Sequence, residues 1–188
     1  GMTRNRLLKG FEVELFTGRA DGRNVGVAAR AKRELQGFVT EPDHRNLEYV
    51  TDPLADYDAI SEALLSPRRL LRRWLMEQGL TLLPGSTLSL GDTSRFERSD
   101  PDNAYHSLIE ATYGTDVVTA SIHINLGIEN PDDLFAALRL VRCEAALLLS
   151  LSASSPFLNG RVTGVHSQRW LQFPLTPTRV PLFLNHQH

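Results

Sequence analysis

The sequence predicts an α+β protein in which an antiparallel sheet carries helices on one face and a polar cavity on the other. Three segments alternate between polar and apolar residues with the period of two expected of a half-buried strand: residues 7–16, 46–51 and 117–128. The long helical segments between them would also suit a doubly wound parallel sheet. Parallel strands, however, are covered on both faces and read as continuous apolar runs, whereas each of these segments keeps one polar face. The pattern therefore favours the antiparallel arrangement.

The connecting segments predict the helical layer. Helices are expected at residues 25–35, 56–78, 105–113 and 132–151, with short strands at 38–39 and 80–83. Pro67 is expected to break or kink the second helix, because proline lacks the amide donor and clashes with the preceding turn. Residues 84–101 form a polar loop of a length that is often functional, and no element is predicted beyond Ser152.

The overall composition excludes several functional classes. The chain has 188 residues, of which 41% are hydrophobic and 22% charged, as in a globular protein of one domain or part of one. Its net charge of −2 gives no broad attraction for nucleic acid or anionic lipid. Four arginines at positions 68, 69, 72 and 73 are expected to form a solvated helix face. No apolar run approaches the roughly 20 residues that span a bilayer, so we expect neither nucleic-acid nor membrane binding.

The single cysteine, Cys143, excludes an intramolecular disulfide and fits a reducing compartment, so a cytoplasmic protein is expected. Cys143 lies in an apolar helical stretch. This context predicts a small buried hydrophobic residue rather than a reactive thiol.

The first strand places two carboxylates side by side. Residues two apart on a strand point the same way and lie about 6.5–7 Å apart, so Glu12 and Glu14 share one face. Two like charges so placed repel each other, and a divalent cation would make the arrangement favourable. The same spacing is common on solvated strands, so the pair by itself leaves both interpretations open.

The other two strands add candidate ligands. Glu48 shares a face with Asn46, opposite Leu47 and Tyr49. On the third strand, His123 lies on a polar face with Ser121 and Asn125. The opposite face of this strand is apolar and consists of Ala120, Ile122, Ile124 and Leu126. Three oxygen ligands and one imidazole nitrogen would suit Mg²⁺ or Mn²⁺ better than a metal that prefers thiolates.

Six stretches, in order along nearly the whole chain, resemble the glutamate–cysteine ligase family, in its cyanobacterial-type branch of carboxylate–amine ligases. They are LKGFEVEL at 8–15, RNLEY at 45–49, LPGSTLSLGD at 83–92, VTASIHIN at 118–125, LSASSPF at 151–157 and TGVHSQRW at 163–170. Any one of them alone is weak, but six collinear matches are specific.

The resemblance implies a fold and a reaction. The fold is that of glutamine synthetase and the guanidino kinases, an antiparallel sheet curved into a funnel-shaped site. The reaction is an ATP-dependent ligation in which L-glutamate forms γ-glutamyl phosphate and the amine of L-cysteine displaces phosphate, the first step of glutathione synthesis. A carboxylate is a poor electrophile and must be activated, and phosphoryl transfer between anions needs cations to offset charge.

The resemblance also implies residue roles. Glu12, Glu14, Glu48 and His123 match the family's metal-binding positions, with Mg²⁺ or Mn²⁺ as the metal and ATP as co-substrate. Arg169 matches a position suited to a substrate carboxylate or the transferring phosphoryl, since a planar donor fork fits either group. Asn125 is a further candidate for binding substrate. Ser155 and Ser167 lie in matching loops without a definite role, and the Gly85–Gly91 loop, which lacks the Gly-Lys-Ser/Thr of a Walker A motif, is expected to shape the cavity mouth.

The resemblance covers only the N-terminal half of such a domain, so residues 1–188 are expected to form half of one carboxylate–amine ligase catalytic domain. The family's second half supplies further strands, another metal-binding glutamate and an arginine that contacts ATP. A half-sheet would expose apolar surface, which a homodimer could cover. Two alternatives stay open: a non-catalytic homologue that binds metal or glutamate, and a family ligase with another amine acceptor.

Overall fold

The computed structural model describes residues 7–90 and 94–172 of the chain. Gly91, the end of the predicted cavity-mouth loop, lies outside the described residues. The strands are β1 (Leu8–Gly18), β2 (Phe38–Thr40), β3 (Asn46–Val50), β4 (Thr81–Leu83), β5 (Ile122–Gly127), β6 (Phe157–Leu158) and β7 (Arg161–Val162). The helices are α1 (Ala28–Glu34), α2 (Tyr57–Met76), α3 (Ala104–Tyr113), α4 (Pro131–Cys143), α5 (Ala145–Ser152) and α6 (Gln168–Gln172).

The main sheet is antiparallel, which confirms the prediction. Its order is β2-β3-β1-β4, with β5 also paired to β1. Strand β1 is long enough to hold two neighbours on one edge: β5 pairs with its first half, from Leu8 to Val13, and β4 with its last three residues. Strand β3 occupies the other edge, where Glu14 lies directly opposite Glu48.

One face of this sheet packs against α1 and α2. The buried cluster on this face joins strand residues to Ala28 and Ala31 of α1 and to Leu71 and Leu75 of α2, all four with no measurable exposure. The strand residues are Val13, Leu15, Phe38, Leu47 and Tyr49. Apart from Phe38, these are the alternating apolar residues that the sequence predicts opposite the acids, so the other face is left to Glu12, Glu14 and Glu48.

A smaller apolar cluster lies at the far end of β1. Phe16 is 1% exposed and packs with Leu83, Leu88, Val118 and Ala120. Phe16 is two residues from Glu14 on β1, so both side chains point to the same face of the sheet. This cluster therefore supports the loops beside the polar face.

Helix α6 lies beyond Ser152, where no element is predicted, and two of the predicted helices also differ from the prediction. Helix α2 runs unbroken through Pro67, with Asp56 as its N-cap through a hydrogen bond from the Ala59 amide. The predicted helix at 132–151 is divided at Glu144, whose φ of −96° and ψ of 11° end α4 before α5 begins.

Cys143 is exposed rather than buried, so that prediction is wrong. The apolar residues around it do not pack into either core, because α4 and α5 contribute no buried residue among those described. The apolar side of β5 is similarly uncovered, with Ile122 64% and Ile124 60% exposed. In the described part of the chain, no helix is long and apolar enough to cross a membrane.

Candidate metal and substrate site

Three carboxyl groups converge on the face of the sheet opposite α1 and α2. Oxygen atoms of Glu14, Glu41 and Glu48 lie within 4.8 Å of one another. Two oxygen ligands of one octahedral Mg²⁺ lie about 2.9–4.1 Å apart, given metal–oxygen distances of about 2.0–2.1 Å. A small inward movement of the side chains would therefore allow all three to bind one ion.

Glu41 was missed by the sequence analysis. It follows β2 directly, and Val39 of β2 pairs with Glu48. Continuing the extended backbone by two residues returns the side chain to the same face, so Glu41 reaches Glu48. Pairing residues 38–41 with the strand at 46–51 across their short loop would have revealed this acid.

The protonation of this cluster reflects its crowding. Burial, a hydrogen bond to Glu48 and the charges of Glu14, Glu48 and Glu12 together raise the pKa of Glu41 to about 9, with burial as the largest cause. Burial also raises the pKa of Glu14, against the lowering effects of the Ser121 amide, His123 and Arg169. The cluster therefore retains a proton at neutral pH, and a divalent cation would supply the positive charge that this proton provides.

The remaining predicted ligands form a neighbouring group. Glu12 lies opposite His123 in the β1–β5 pairing. Its Oε2 accepts a hydrogen bond of 3.1 Å from Asn125 Nδ2 and lies 3.5 Å from His123 Nδ1. Glu12, His123 and Asn125 are thus together, but Glu12 is not among the three converging carboxylates.

Arg169 lies beside this cluster and is held by two serines. Its Nη2 donates to Ser121 Oγ at 2.9 Å, and its backbone amide donates to Ser155 Oγ at 3.2 Å. Ser155 is buried, its carbonyl also accepts from the Gln168 amide, and its strand-like contact with Ser167 brings the two predicted loops together. Among the described residues, Arg169 Nε is buried without a hydrogen-bond partner.

Two cavities meet at Arg169. The first, of about 430 Å³, is lined by Glu14, Glu41 and His123 and by apolar or aromatic side chains: Phe96, Tyr105, Ile109, Val117 and Val118. The second, of about 640 Å³, is lined by Gly85 and four serines besides Ser121: Ser86, Ser152, Ser154 and Ser167. Gly85 has a φ of +92°, a conformation that favours glycine, and it lies at the wall of this cavity.

The fold is shared with two solved ligase structures. A bifunctional glutathione synthetase from Pasteurella multocida matches 80% of this chain and 24% of its own, with a TM-score of 0.69 and 19% identity. A glutamate–cysteine ligase from Francisella tularensis, solved in complex with AMP, matches 74% of this chain and 30% of its own, with a TM-score of 0.52 and 17% identity. At these identities the likeness shows the fold alone.

Sequence comparison then assigns the family. The model of glutamate–cysteine ligase family 2 matches residues 8–188, and the chain belongs to that family. The glutamate–cysteine ligase of Halobacterium salinarum is 29% identical over 145 residues, which are 76% of this chain and 38% of that protein. A Rhodococcus jostii protein that carries the provisional name glutamate–cysteine ligase 2-1 is 28% identical over 184 residues, 92% of this chain and 48% of that protein. The chain thus spans less than half the length of either relative.

Proposed function

We propose that this chain carries the metal-binding half of a glutamate–cysteine ligase site, which joins the γ-carboxylate of L-glutamate to the amine of L-cysteine through γ-glutamyl phosphate. The convergence of Glu14, Glu41 and Glu48 on a chain of this family is the observation that supports it. The finer fold proposed is the funnel shared with glutamine synthetase and the guanidino kinases, of which the described sheet would form one wall.

The three carboxylates would hold Mg²⁺ or Mn²⁺, with His123 and Glu12 beside them. All are hard oxygen donors apart from the imidazole, the set that these cations prefer. The cation would offset charge between ATP and the glutamate γ-carboxylate.

Arg169 would bind a carboxylate of the substrate or the transferring phosphoryl group. Ser121 and Ser155 orient the residue, which lines both cavities. Asn125 already bonds Glu12, so we propose that it orients this carboxylate and contacts substrate through its carbonyl oxygen.

The metal proposal is tested with Mn²⁺ on the purified chain. Glu14→Gln removes a converging carboxylate and should weaken Mn²⁺ binding about tenfold or more, whereas Glu12→Gln should weaken it less because Glu12 lies outside the group of three. The exposed Glu62 of α2 provides a matched control, since Glu62→Gln leaves the site intact. Titration followed by electron paramagnetic resonance measures free Mn²⁺ directly; unchanged affinity in both site variants would refute the proposed ligands.

The reaction is tested with ATP, Mg²⁺, L-glutamate and L-cysteine, by measuring phosphate and γ-glutamylcysteine. Product that depends on all four supports the proposal. Phosphate release that needs glutamate but shows no preference for cysteine would favour another amine acceptor. Metal or glutamate binding without phosphate release, from this chain and from any longer product of its gene, would favour a non-catalytic homologue.

A further inference from the structure

A buried ion pair lies in the turn between β2 and β3, immediately after Glu41. Asp43 and Arg45 are each only 2% exposed. The guanidinium binds the carboxylate through two parallel hydrogen bonds, from Nε to Oδ1 and from Nη2 to Oδ2, both of 2.9 Å. The Arg45 amide donates to the same Oδ1 at 2.9 Å, so the turn is closed around Asp43.

The pair also fastens this turn to residues 95–99. Arg45 Nη2 donates to the Arg95 carbonyl at 2.9 Å, and the Glu97 amide donates to Asp43 Oδ2 at 3.0 Å. The Ser99 hydroxyl donates to the backbone carbonyl of Glu41, and the Ser99 amide donates to the Pro42 carbonyl at 3.1 Å. The backbone of Glu41 is therefore fixed from outside the sheet by a segment more than 50 residues away.

Glu41 needs such restraint because its surroundings oppose its position. Its carboxyl is partly buried beside Glu48 and Glu14, where ionised forms of all three would repel one another. Strand β2 ends at Thr40, so Glu41 lies just beyond the last paired residue of the ladder. Asp43 lines the same cavity, but both of its oxygens are occupied by Arg45 and Glu97, which leaves Glu41 as the acid of this turn that faces Glu48.

We infer that Asp43 and Arg45 form a positioning pair that holds the Glu41 carboxyl in the three-carboxylate cluster, and that their interaction sets the affinity of the cluster for a divalent cation. This inference rests on the proposed metal function. A buried ion pair adds little net stability compared with an apolar replacement, whereas partners that orient metal ligands typically affect metal affinity by about 10–100-fold.

The test is a double-mutant cycle read out by Mn²⁺ affinity. Arg45→Lys keeps the positive charge but loses the planar two-bonded fork. We expect it to weaken Mn²⁺ binding about tenfold in the otherwise unchanged chain. In the Glu41→Gln background the same substitution should change Mn²⁺ affinity less than about twofold. The reason is that the Glu41 carboxylate, through which Arg45 is inferred to act, is already absent from that background.

A second variant and a control keep the outcome decisive. Asp43→Asn retains an acceptor and replaces Arg45→Lys if the latter does not fold, as judged by near-ultraviolet circular dichroism. Tyr49→Phe serves as the control, since it removes a hydrogen bond of 2.6 Å to the Leu64 carbonyl on the opposite face of the sheet and should lower stability without changing Mn²⁺ affinity. Equal losses of affinity in the two Glu41 backgrounds, or wild-type affinity in folded Arg45→Lys and Asp43→Asn, would overturn the inference. If the unaltered chain binds no Mn²⁺, the proposed metal site itself fails, which is a distinct result.

Discussion

At the residue scale, the site depends on acids that a soluble protein would ordinarily keep apart. The sequence identifies Glu14 and Glu48, because the period of two assigns each to a strand face. It does not identify Glu41, since this residue lies beyond the end of β2 and its position follows from the β2–β3 register and the turn at Asp43. The metal ligation proposed for Glu12, Glu14, Glu48 and His123 stays a prediction.

The raised pKa of Glu41 predicts how stability depends on pH without metal. An ordinary pKa of 4.5 in the unfolded chain and one of about 9 in the folded chain mean that the folded state holds a proton the unfolded state has lost. The contribution is fully present below pH 4.5 and is lost as pH rises through 9. We therefore expect the melting temperature to fall between pH 6 and pH 9 in the presence of a chelator.

The variant Glu41→Gln carries no titrating carboxyl at this position and should show a smaller fall over the same range. Mg²⁺ should restore stability to the unaltered chain chiefly at the higher pH, since the cation replaces the proton. Differential scanning fluorimetry measures both effects, and parallel pH profiles for the two proteins would contradict the assignment.

At the element scale, the sequence predicts secondary structure best where packing against a core requires apolar residues at regular spacing. Strands β1 and β3 agree with their patterns because Val13 and Leu47, on the faces predicted to be apolar, are buried in the core. The prediction is wrong where that support is absent. The apolar stretch around Cys143 contacts neither core, so its hydrophobicity was no guide to burial, and Glu144 divides the helix.

Helix α2 supports the strands that carry the acids, and Leu71 tests this support. Leu71 has no measurable exposure between the helix and the sheet, so Leu71→Ala should lower the free energy of unfolding by about 2–5 kcal/mol. The neighbouring Leu70 is 38% exposed, and Leu70→Ala should have a much smaller effect. Urea denaturation followed by tryptophan fluorescence compares the two; equal losses would show that α2 does not pack as described.

At the scale of the whole molecule, the edge of the sheet formed by β5 is exposed in the described structure. No described strand pairs with the outer edge of β5, and Ile122, Ile124 and Leu126 are exposed on its apolar face. Apolar surface of this kind promotes association. We propose that a second copy of the chain covers it, forming the homodimer expected from the sequence.

Ile124→Lys tests this proposal because it places a charge in the centre of the uncovered face. Light scattering should give the mass of a dimer for the unaltered chain and a shift towards monomer for the variant. Met76→Lys, at an equally exposed site where α2 ends, should leave the mass unchanged. A monomeric mass for the unaltered chain at high concentration would contradict the dimer.

The pairing of β1 with β5 also bears on how the protein folds. Glu12 and His123 are neighbours in space but are separated by more than 100 residues of chain, and β1 exchanges hydrogen bonds with β3, β4 and β5 in turn. Contacts of such long sequence separation slow folding, because the entropy of loop closure is lost before the contact forms. The three acids themselves lie within the first 48 residues, and the segment at 95–99 that fastens the Glu41 turn follows later, whereas the histidine neighbour arrives only with β5. During synthesis, the segments that carry the three acids and their support would therefore emerge before β5 and α6, which bring His123 and Arg169.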